Sequence, residues 1–120
     1  MLFRSCNFLP ARLSAVLMIA VCPLCRLNGK NAVRIWRRDR RKHASPNAAQ
    51  TESVCAGALG VRLAGDAVYG GEVCKKEFIG DALREIAPQD IGRTNRLMYA
   101  ASAAMLLLSV LLRLAVILCL

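Results

Sequence analysis

A block at residues 37–47, with the sequence RRDRRKHASPN, brings together side chains that could bind an anion. Its arginines and Lys42 supply positive charge, and His43, Ser45 and Asn47 add directed hydrogen-bonding groups. Ser45 is followed by proline, a pair that is typical of the start of a helix. Because positive charge and free N–H groups at a helix start hold phosphate or carboxylate oxygens, the block predicts an anion site.

Two simpler interpretations of this block need only its charge. Lys and Arg beside a membrane span fix the cytoplasmic side, so the block is also explained as a membrane anchor with an ordinary helix cap. A basic run can bind nucleic acid, but Trp36 is the one aromatic side chain nearby, and binding of single strands relies on aromatic stacking. We therefore expect no nucleic-acid partner, while the anchor and the anion site stay open.

The chain has six cysteines, at positions 6, 22, 25, 55, 74 and 119. Cys22 and Cys25 have the spacing of a redox pair, but they lie in an apolar segment, which raises a thiol's pKa and disfavours the reactive thiolate. Cys55 and Cys74 have a single histidine, His43, to complete a metal site. We therefore expect no metal site and interpret the cysteines as small apolar side chains in a reducing compartment. The sequence also has no GxxxxGK[ST] phosphate loop.

The composition explains why the basic block stands apart from the rest of the chain. Of the 120 residues, 56% are apolar, while 17 Lys and Arg against 8 Asp and Glu give a net charge of +9. A small soluble domain rarely combines so many apolar residues with so much unbalanced charge, so the two must be separated along the chain. The mean hydropathy of +0.40 excludes a disordered or glycine-rich fibrous protein. A membrane protein with one domain at most remains.

Two apolar segments are long enough to be predicted as transmembrane helices. Residues 97–120 contain a single charge, Arg113, and about 20 apolar residues suffice to cross a bilayer. Residues 8–27 carry charges only near their ends, at Arg12 and Arg26, where long side chains reach the interface. This shorter segment also fits a signal peptide or lipoprotein leader, but the basic block that follows it resists export.

The position of the basic block predicts the topology of the chain. Lys and Arg close to a span mark its cytoplasmic side, so residues 28–96 are expected in the cytoplasm and both chain ends on the opposite face. We therefore expect a multi-pass protein of the inner (cytoplasmic) membrane. In this topology the N-terminal residues, including Arg4 and Arg12, lie outside the cytoplasm. Such an arrangement is unusual for a complete two-span protein, so we expect the chain to be a piece of a longer one.

The predicted fold is mainly α, with two transmembrane helices flanking a cytoplasmic segment of helices and loops. A basic juxtamembrane helix is expected over 28–43, lying against anionic lipid headgroups. In the loop region 44–96, apolar residues at helical spacing predict a helix over 46–63. Pro88 fits the first turn of a helix that continues into the last span. Glycines punctuate the intervening stretch, which has two possible short strands, 67–69 and 72–74.

Five blocks of the sequence together resemble a known family. They are NFLPARL at 7–13, WRRDRRKHASPN at 36–47, AGALGVRLAG at 56–65, IGD at 79–81 and RLM at 96–98. In this order they closely resemble the C-terminal part of the adenosylcobinamide-phosphate synthases, which are membrane proteins of cobalamin biosynthesis. The resemblance covers nearly the whole chain, and its SPN and GALGVRL blocks are specific.

The resemblance implies the C-terminal piece of an ATP-dependent ligase. Such an enzyme joins the propionate carboxylate of adenosylcobyric acid to aminopropanol, or to its phosphate, through an amide. Cations must then neutralise phosphate groups, acids must hold Mg²⁺, and a base must accept the proton of the amine. The implied cofactors are ATP and Mg²⁺, and the implied partners are the corrinoid, the amine and membrane lipid. The alternative is a small two-span membrane protein whose basic loop binds acidic lipid or a protein partner without catalysis.

Candidate site residues follow from residue type and from membership of the matching blocks. His43 is the candidate catalytic base or phosphate donor, and Asp81 would serve the metal or the amine. Five residues would bind anionic substrate groups: Arg41, Lys42, Ser45, Asn47 and Arg62. Because two helices cannot enclose a corrinoid, the piece alone is expected to be inactive.

Overall fold

A computed structural model describes residues 2–42, 47–64, 67–74 and 78–120. The elements in this part of the chain are α1 (Leu2–Val21), α2 (Gly29–Asp39), α3 (Ala48–Leu59), β1 (Leu63–Ala64), β2 (Ala67–Tyr69), β3 (Glu72–Cys74), β4 (Phe78–Ile79) and α4 (Gln89–Cys119). The fold is mainly helical, as predicted.

Helices α1 and α4 run antiparallel and share an apolar core. The Cys25 thiol, just after α1, donates to the carbonyl of Arg96 at 3.7 Å, and further along the pair Ser14 and Met105 line the same groove. Buried Ala15 of α1 and Leu97 of α4 belong to the core between them. The N-terminal end of α1 and the C-terminal end of α4 therefore both lie away from the turn that follows α1.

Helix α4 is the one described helix that is long and apolar enough to cross a membrane. No part of its most apolar stretch is buried against the rest of the chain. In α1 the apolar run is shorter, Cys6–Val21, and its Ala15 and Val21 are buried in the helical core. One long and one shorter apolar helix are consistent with a membrane protein, and the two-span topology stays a prediction.

Three helices are shorter at their C-terminal ends than the sequence patterns predict. Helix α1 ends at Val21 and not near residue 27, since the chain turns back through Arg26, which has a φ of 59°. Helix α2 ends at Asp39 and not at 43. Helix α3 ends at Leu59 and not at 63, because Gly60 adopts a left-handed conformation with φ 71° and its amide bonds to the carbonyls of Ala56 and Gly57.

Helices α2 and α3 pack unusually closely through Gly57. A Cβ atom at this position would lie 2.6 Å from the carbonyl oxygen of Asn31 and 2.7 Å from the Cα of Ala32. On the same side of α2, Ile35 is fully buried, and the Trp36 indole donates to Gln50 at 2.9 Å. The apolar side of α2 therefore contacts protein, while contact of its exposed basic side with lipid headgroups stays a prediction.

Both predicted short strands are present and form a hairpin. β2 pairs antiparallel with β3, with Val68 opposite Val73. The turn between them is Gly70–Gly71, and both glycines have positive φ, at 58° and 84°, as tight hairpin turns require. A second antiparallel pair, β1 with β4, places Leu63 opposite Ile79. This pairing brings the chain after β4 back beside α2 and α3.

The start of α4 is fixed by an acidic residue in its first turn. Asp90 lies in the first turn, as the sequence predicted, whereas Pro88 is the N-cap residue just before the helix and not part of its first turn. Asp90 accepts from the Ala87 amide at 2.8 Å and pairs with Arg84 and Arg93. Arg84 also donates to the carbonyl of Leu59 at 3.1 Å. The beginning of α4 is therefore attached to the end of α3.

Candidate anion-binding site

The candidate site is built around Asp39, the last residue of α2. Its side chain is fully buried. Arg38 donates to both of its oxygens, from Nε and Nη2, each at 2.8 Å, and Lys42 Nζ lies 3.0 Å from Oδ1. The backbone amide of Gly80 donates to Oδ2 at 2.7 Å. A buried carboxylate is tolerated when it is paired and hydrogen-bonded in this way.

A second carboxylate, Asp81, lies next to the first and faces solvent. Arg34 Nη2 contacts Asp81 Oδ2 at 2.7 Å, and Arg38 Nη1 contacts Oδ1 at 2.9 Å. Arg34 is held in turn by the Asn31 side-chain oxygen, at 3.1 and 2.7 Å. Asn31 also donates to the carbonyl of Gly57 at 2.8 Å. Arg34 is therefore connected through Asn31 to the close contact between α2 and α3.

The local sequence explains why these groups meet. Arg34 and Arg38 are four residues apart on α2, so they lie on one face of the helix. Gly80 has a φ of 88°, and a Cβ atom there would lie 2.5 Å from the carbonyl oxygen of Val61. Only glycine fits this backbone conformation and spacing, which presents the Gly80 amide and then Asp81 to α2.

Asp39 stays ionised in spite of its burial. Burial raises its pKa, but the hydrogen bonds from Arg38, from the Gly80 amide and from Lys42 outweigh this effect. The pKa of Asp39 therefore lies well below its usual range. At neutral pH the residue acts as a permanent negative charge beneath the cations.

The pKa of Asp81 is also lowered, first by the hydrogen bond from Arg34 and then by that from Arg38. A carboxylate with a lowered pKa is a weak proton acceptor near neutral pH. Its chemistry fits contact with a cation, either an ammonium group or a metal ion. The expected role of Asp81, toward the metal or the amine, stays a prediction.

The structure brings together two of the predicted site residues through two residues that were not among the candidate site residues. Lys42 and Asp81 are joined through Asp39 and its neighbour Arg38. Arg41 lies near this cluster in sequence and is exposed. We name Arg34, Arg38, Asp39, Lys42 and Asp81 the basic cluster.

The other predicted residues have different surroundings. Asn47 precedes α3, where its side-chain oxygen accepts a long hydrogen bond from Arg12 of α1, at 3.4 Å. Arg62 is exposed, and its guanidinium lies 3.9 Å from the centre of the Phe78 ring. The last two predicted site residues lie outside the described residues: His43 and Ser45.

Sequence reasoning missed Arg34 as a site residue and did not single out Arg38 and Asp39 within the 37–47 block. Two signals were present. The arginines have the i,i+4 spacing of one helix face, and Asp39 is the one acid within a run of cations. Neither signal identifies Asp81 as the shared partner, because that contact joins residues 47 positions apart.

A separate apolar groove of about 650 Å³ lies between α1, α3 and α4. Its walls include Leu17, Met98 and Met105, and its polar residues include Glu52 and Thr94. Cys55 of α3 also lines it, and burial raises the pKa of that thiol. A raised pKa reduces the thiolate fraction, so Cys55 is expected to react slowly at neutral pH.

Comparison with known proteins identifies relatives of this chain. Residues 4–98 match the family described as CobD/Cbib protein. The chain is 52% identical to cobalamin biosynthesis protein CobD of Pelobacter propionicus over 103 residues, which are 86% of this chain and 32% of the relative. It is also 52% identical to cobalamin biosynthesis protein CbiB of Salmonella typhimurium over 102 residues, 85% of this chain and 32% of the relative.

The chain thus spans about a third of the length of the relatives that it matches. CobD of Citrobacter koseri, at 49% identity, matches 89% of this chain and 34% of its own length. No solved structure matches the chain. Because the family match covers most of the sequence, the chain belongs to the CobD/CbiB protein family.

Proposed function

We propose that this chain is part of a ligase that forms the amide between adenosylcobyric acid and aminopropanol or its phosphate. The names of the relatives support a role in cobalamin biosynthesis, and the specific reaction is the one that the resemblance implies. The observation that carries the proposal is the basic cluster, where Arg34 and Arg38 share one carboxylate, Asp81, at the surface. Such a site suits a substrate that bears phosphate.

Each group of the proposed site would have a defined task. ATP supplies the free energy for amide formation. Arg34, Arg38 and Lys42 would bind phosphate oxygens, because guanidinium and ammonium groups make strong charge-assisted hydrogen bonds to them. Asp81 would hold the ammonium form of the amine near the cluster before the amine loses its proton. His43 would accept that proton, so that the nitrogen lone pair can attack the carboxyl carbon that ATP has activated. The C–N bond of the amide would form as the C–O bond to the phosphate-containing leaving group breaks.

The described residues fit Mg²⁺ only when it arrives with a phosphate substrate. Among them, no group of three His, Cys, Asp or Glu side chains lies close enough to hold a metal ion. Mg²⁺ usually keeps several waters and binds through one or two carboxylates together with substrate phosphates. Asp81 is the carboxylate of the cluster that is partly exposed, so it would be the protein ligand.

A second candidate function is binding of acidic lipid without catalysis. Arg37 is exposed and lies outside the ion pairs described above, and basic residues near a membrane attract anionic headgroups. This function depends on the number of cations and not on their geometry. It therefore predicts equal effects from Arg37→Ala and Arg38→Ala.

A chimera separates the two functions. In it, this chain replaces the matching third of Salmonella typhimurium CbiB, and it is expressed in a strain that lacks CbiB and needs cobalamin for growth. We expect the chimera to restore growth and the chain alone to fail. In the chimera, Arg38→Ala should lower cobalamin synthesis at least tenfold, whereas Arg37→Ala should leave it near normal. A chimera that is abundant in the membrane but inactive would contradict the ligase, and equal effects of the two variants would favour lipid binding.

A further inference from the structure

The position of Asp39 is unfavourable for an acid on two counts. It is the last residue of α2, where the negative end of the helix dipole disfavours a carboxylate. It is also fully buried, and removing a charge from water is costly unless pairing offsets it. Since a buried ion pair is weak evidence for stability, the cost of this acid points to another role.

The hydrogen bonds of Asp39 fix the orientation of Arg38. Two guanidinium nitrogens, Nε and Nη2, bind Asp39 as a fork. The third, Nη1, is thereby directed at Asp81, 2.9 Å from Oδ1. A planar guanidinium held at three nitrogens is fixed in one plane, which a lysine at this position would not reproduce.

Asp39 also fixes the turn that carries Asp81. The Gly80 amide is buried and donates to Asp39 Oδ2 at 2.7 Å. This bond joins the end of α2 to the residue just before Asp81. One buried carboxylate thus determines both the direction of Arg38 and the position of the acid that Arg38 contacts.

The solvent exposure of the side chains increases from Asp39 to the three cations around it. The Asp39 side chain is 0% exposed, Lys42 is 33%, Arg38 is 40% and Arg34 is 51% exposed. An incoming anion can therefore reach the three cations without meeting Asp39, and it competes there with Asp81, which is 35% exposed and pairs with Arg34 and Arg38. The arrangement resembles a preorganised site, in which the ordering of long side chains precedes binding.

We propose that Asp39 is a positioning residue for the phosphate group of a substrate, either the polyphosphate of ATP or the phosphate of the amine. It does not touch the substrate, and it acts through Arg38, Lys42 and the Gly80–Asp81 turn. The proposal rests on the proposed function, because it assigns the basic cluster to a phosphate group of that reaction.

The variant Asp39→Asn separates positioning from simple electrostatics. It removes one negative charge at almost constant size, so electrostatics alone predicts tighter binding of anions. Positioning predicts the opposite, since the amide cannot hold the Arg38 fork and accept from the Gly80 amide as the carboxylate does. We expect the KM for one phosphate-bearing substrate to rise at least tenfold in membranes containing the chimera, with a smaller change in kcat.

The two phosphate sources are distinguished by measuring KM separately for ATP and for aminopropanol phosphate. The substrate whose KM rises is the one that the cluster binds, while the KM for the corrinoid should stay unchanged. Arg38→Lys, which keeps the charge but loses the fork, should raise the same KM. If Asp39→Asn fails to reach the membrane, the KM of Arg38→Lys is the measurement that tests the proposal. The control Glu85→Gln removes a charge from an exposed position and should change neither KM.

A binding measurement tests the same proposal without catalysis. Inorganic pyrophosphate should raise the Tm of the detergent-purified chimera, because a ligand that binds the folded state stabilises it. Arg38→Lys and Asp39→Asn should each reduce that shift at least by half. An unchanged KM for both substrates, or tighter pyrophosphate binding in the variants, would overturn the role of Asp39. Activity of the parent chimera tests the proposed function separately, so the two failures remain distinguishable.

Discussion

The backbone amide of Gly80 donates a hydrogen bond to the buried carboxylate of Asp39, 41 positions earlier in the chain, at 2.7 Å. This bond attaches β4 to the end of α2. Asp81, the next residue, is thereby placed beside Arg34 and Arg38. The basic cluster is therefore a tertiary site, although most of its charge comes from one helix.

The first prediction concerns the stability that Asp39 contributes and its pH dependence. Asp39→Ala would leave the buried Gly80 amide without its acceptor, at a cost of about 1–3 kcal/mol. Because the folded state lowers the pKa of Asp39, the contribution of its charge is fully present above the unfolded pKa of about 4 and is lost as the pH falls towards the lower folded value. Thermal unfolding of the purified chimera between pH 7 and pH 3 would measure this.

Two results would check that interpretation. The difference in unfolding free energy between parent and Asp39→Ala should be largest at pH 7 and should shrink below about pH 4. Glu85→Gln, at an exposed position, serves as the charge-matched control. It should leave the pH dependence of the unfolding free energy nearly unchanged. A difference that is constant with pH would show that the Asp39 charge makes no contribution.

The second prediction concerns the contact between α2 and α3. In Gly57→Ala the new methyl group would lie 2.6 Å from the Asn31 carbonyl oxygen, and the neighbour is backbone that cannot turn aside. Overpacking of this kind typically costs about 1–3 kcal/mol. Asn31 also holds Arg34, so the variant should weaken the basic cluster as well. Thermal unfolding and cobalamin synthesis of the chimera would measure the two effects.

The matched control for this substitution is Gly92→Ala in α4. Nothing lies within 4 Å of a Cβ atom at Gly92, and alanine in a helix is about 0.5–1 kcal/mol more favourable than glycine. Gly92→Ala should therefore keep or raise the Tm. A Tm of Gly57→Ala at or above that of the parent would contradict the close packing.

These contacts also show which parts of the structure the sequence could predict. Helices α2 and α3, the hairpin at Gly70–Gly71 and the start of α4 after Pro88 follow from periodicity and turn chemistry within a few residues. Helix α1 (Leu2–Val21) lies six residues earlier at both ends than the predicted 8–27. The helix ends were less predictable, because the left-handed conformation of Gly60 is a local event inside an apolar run. The bond between Asp39 and Gly80 has no local pattern at all, since it depends on the pairing of β1 with β4.

The third prediction is topological. Residues 28–96 are predicted to be cytoplasmic and Cys6 to lie towards the opposite face, because basic residues follow the first apolar segment directly. Arg37→Cys is a suitable reporter since position 37 is exposed, whereas Cys55 lines the apolar groove and has a raised thiol pKa. With the other cysteines replaced, a membrane-impermeant thiol reagent should label Cys6 in intact cells and label Arg37→Cys only after permeabilisation. Ready labelling of Arg37→Cys in intact cells would reverse the topology.

The last prediction tests whether the uncharged residues of the 37–47 block bind an anion. A membrane anchor needs only Arg and Lys, so Asn47→Ala and His43→Ala would then be harmless. An anion site needs their directed hydrogen bonds, and loss of one to a charged group costs about 1.5–3 kcal/mol. We expect each variant of the chimera to insert normally but to lower synthesis at least tenfold.

A control tests one structural role of Asn47, its contact with Arg12. This contact, at 3.4 Å, is too long to be a strong hydrogen bond. If Asn47 served only to hold α1 through this contact, Arg12→Gln would lower synthesis as much as Asn47→Ala. We expect Arg12→Gln to retain most of the activity, measured alongside membrane abundance. Normal synthesis in both Asn47→Ala and His43→Ala would show that this part of the block is only a membrane anchor. The basic cluster around Asp39 is tested separately, by Asp39→Asn and Arg38→Lys.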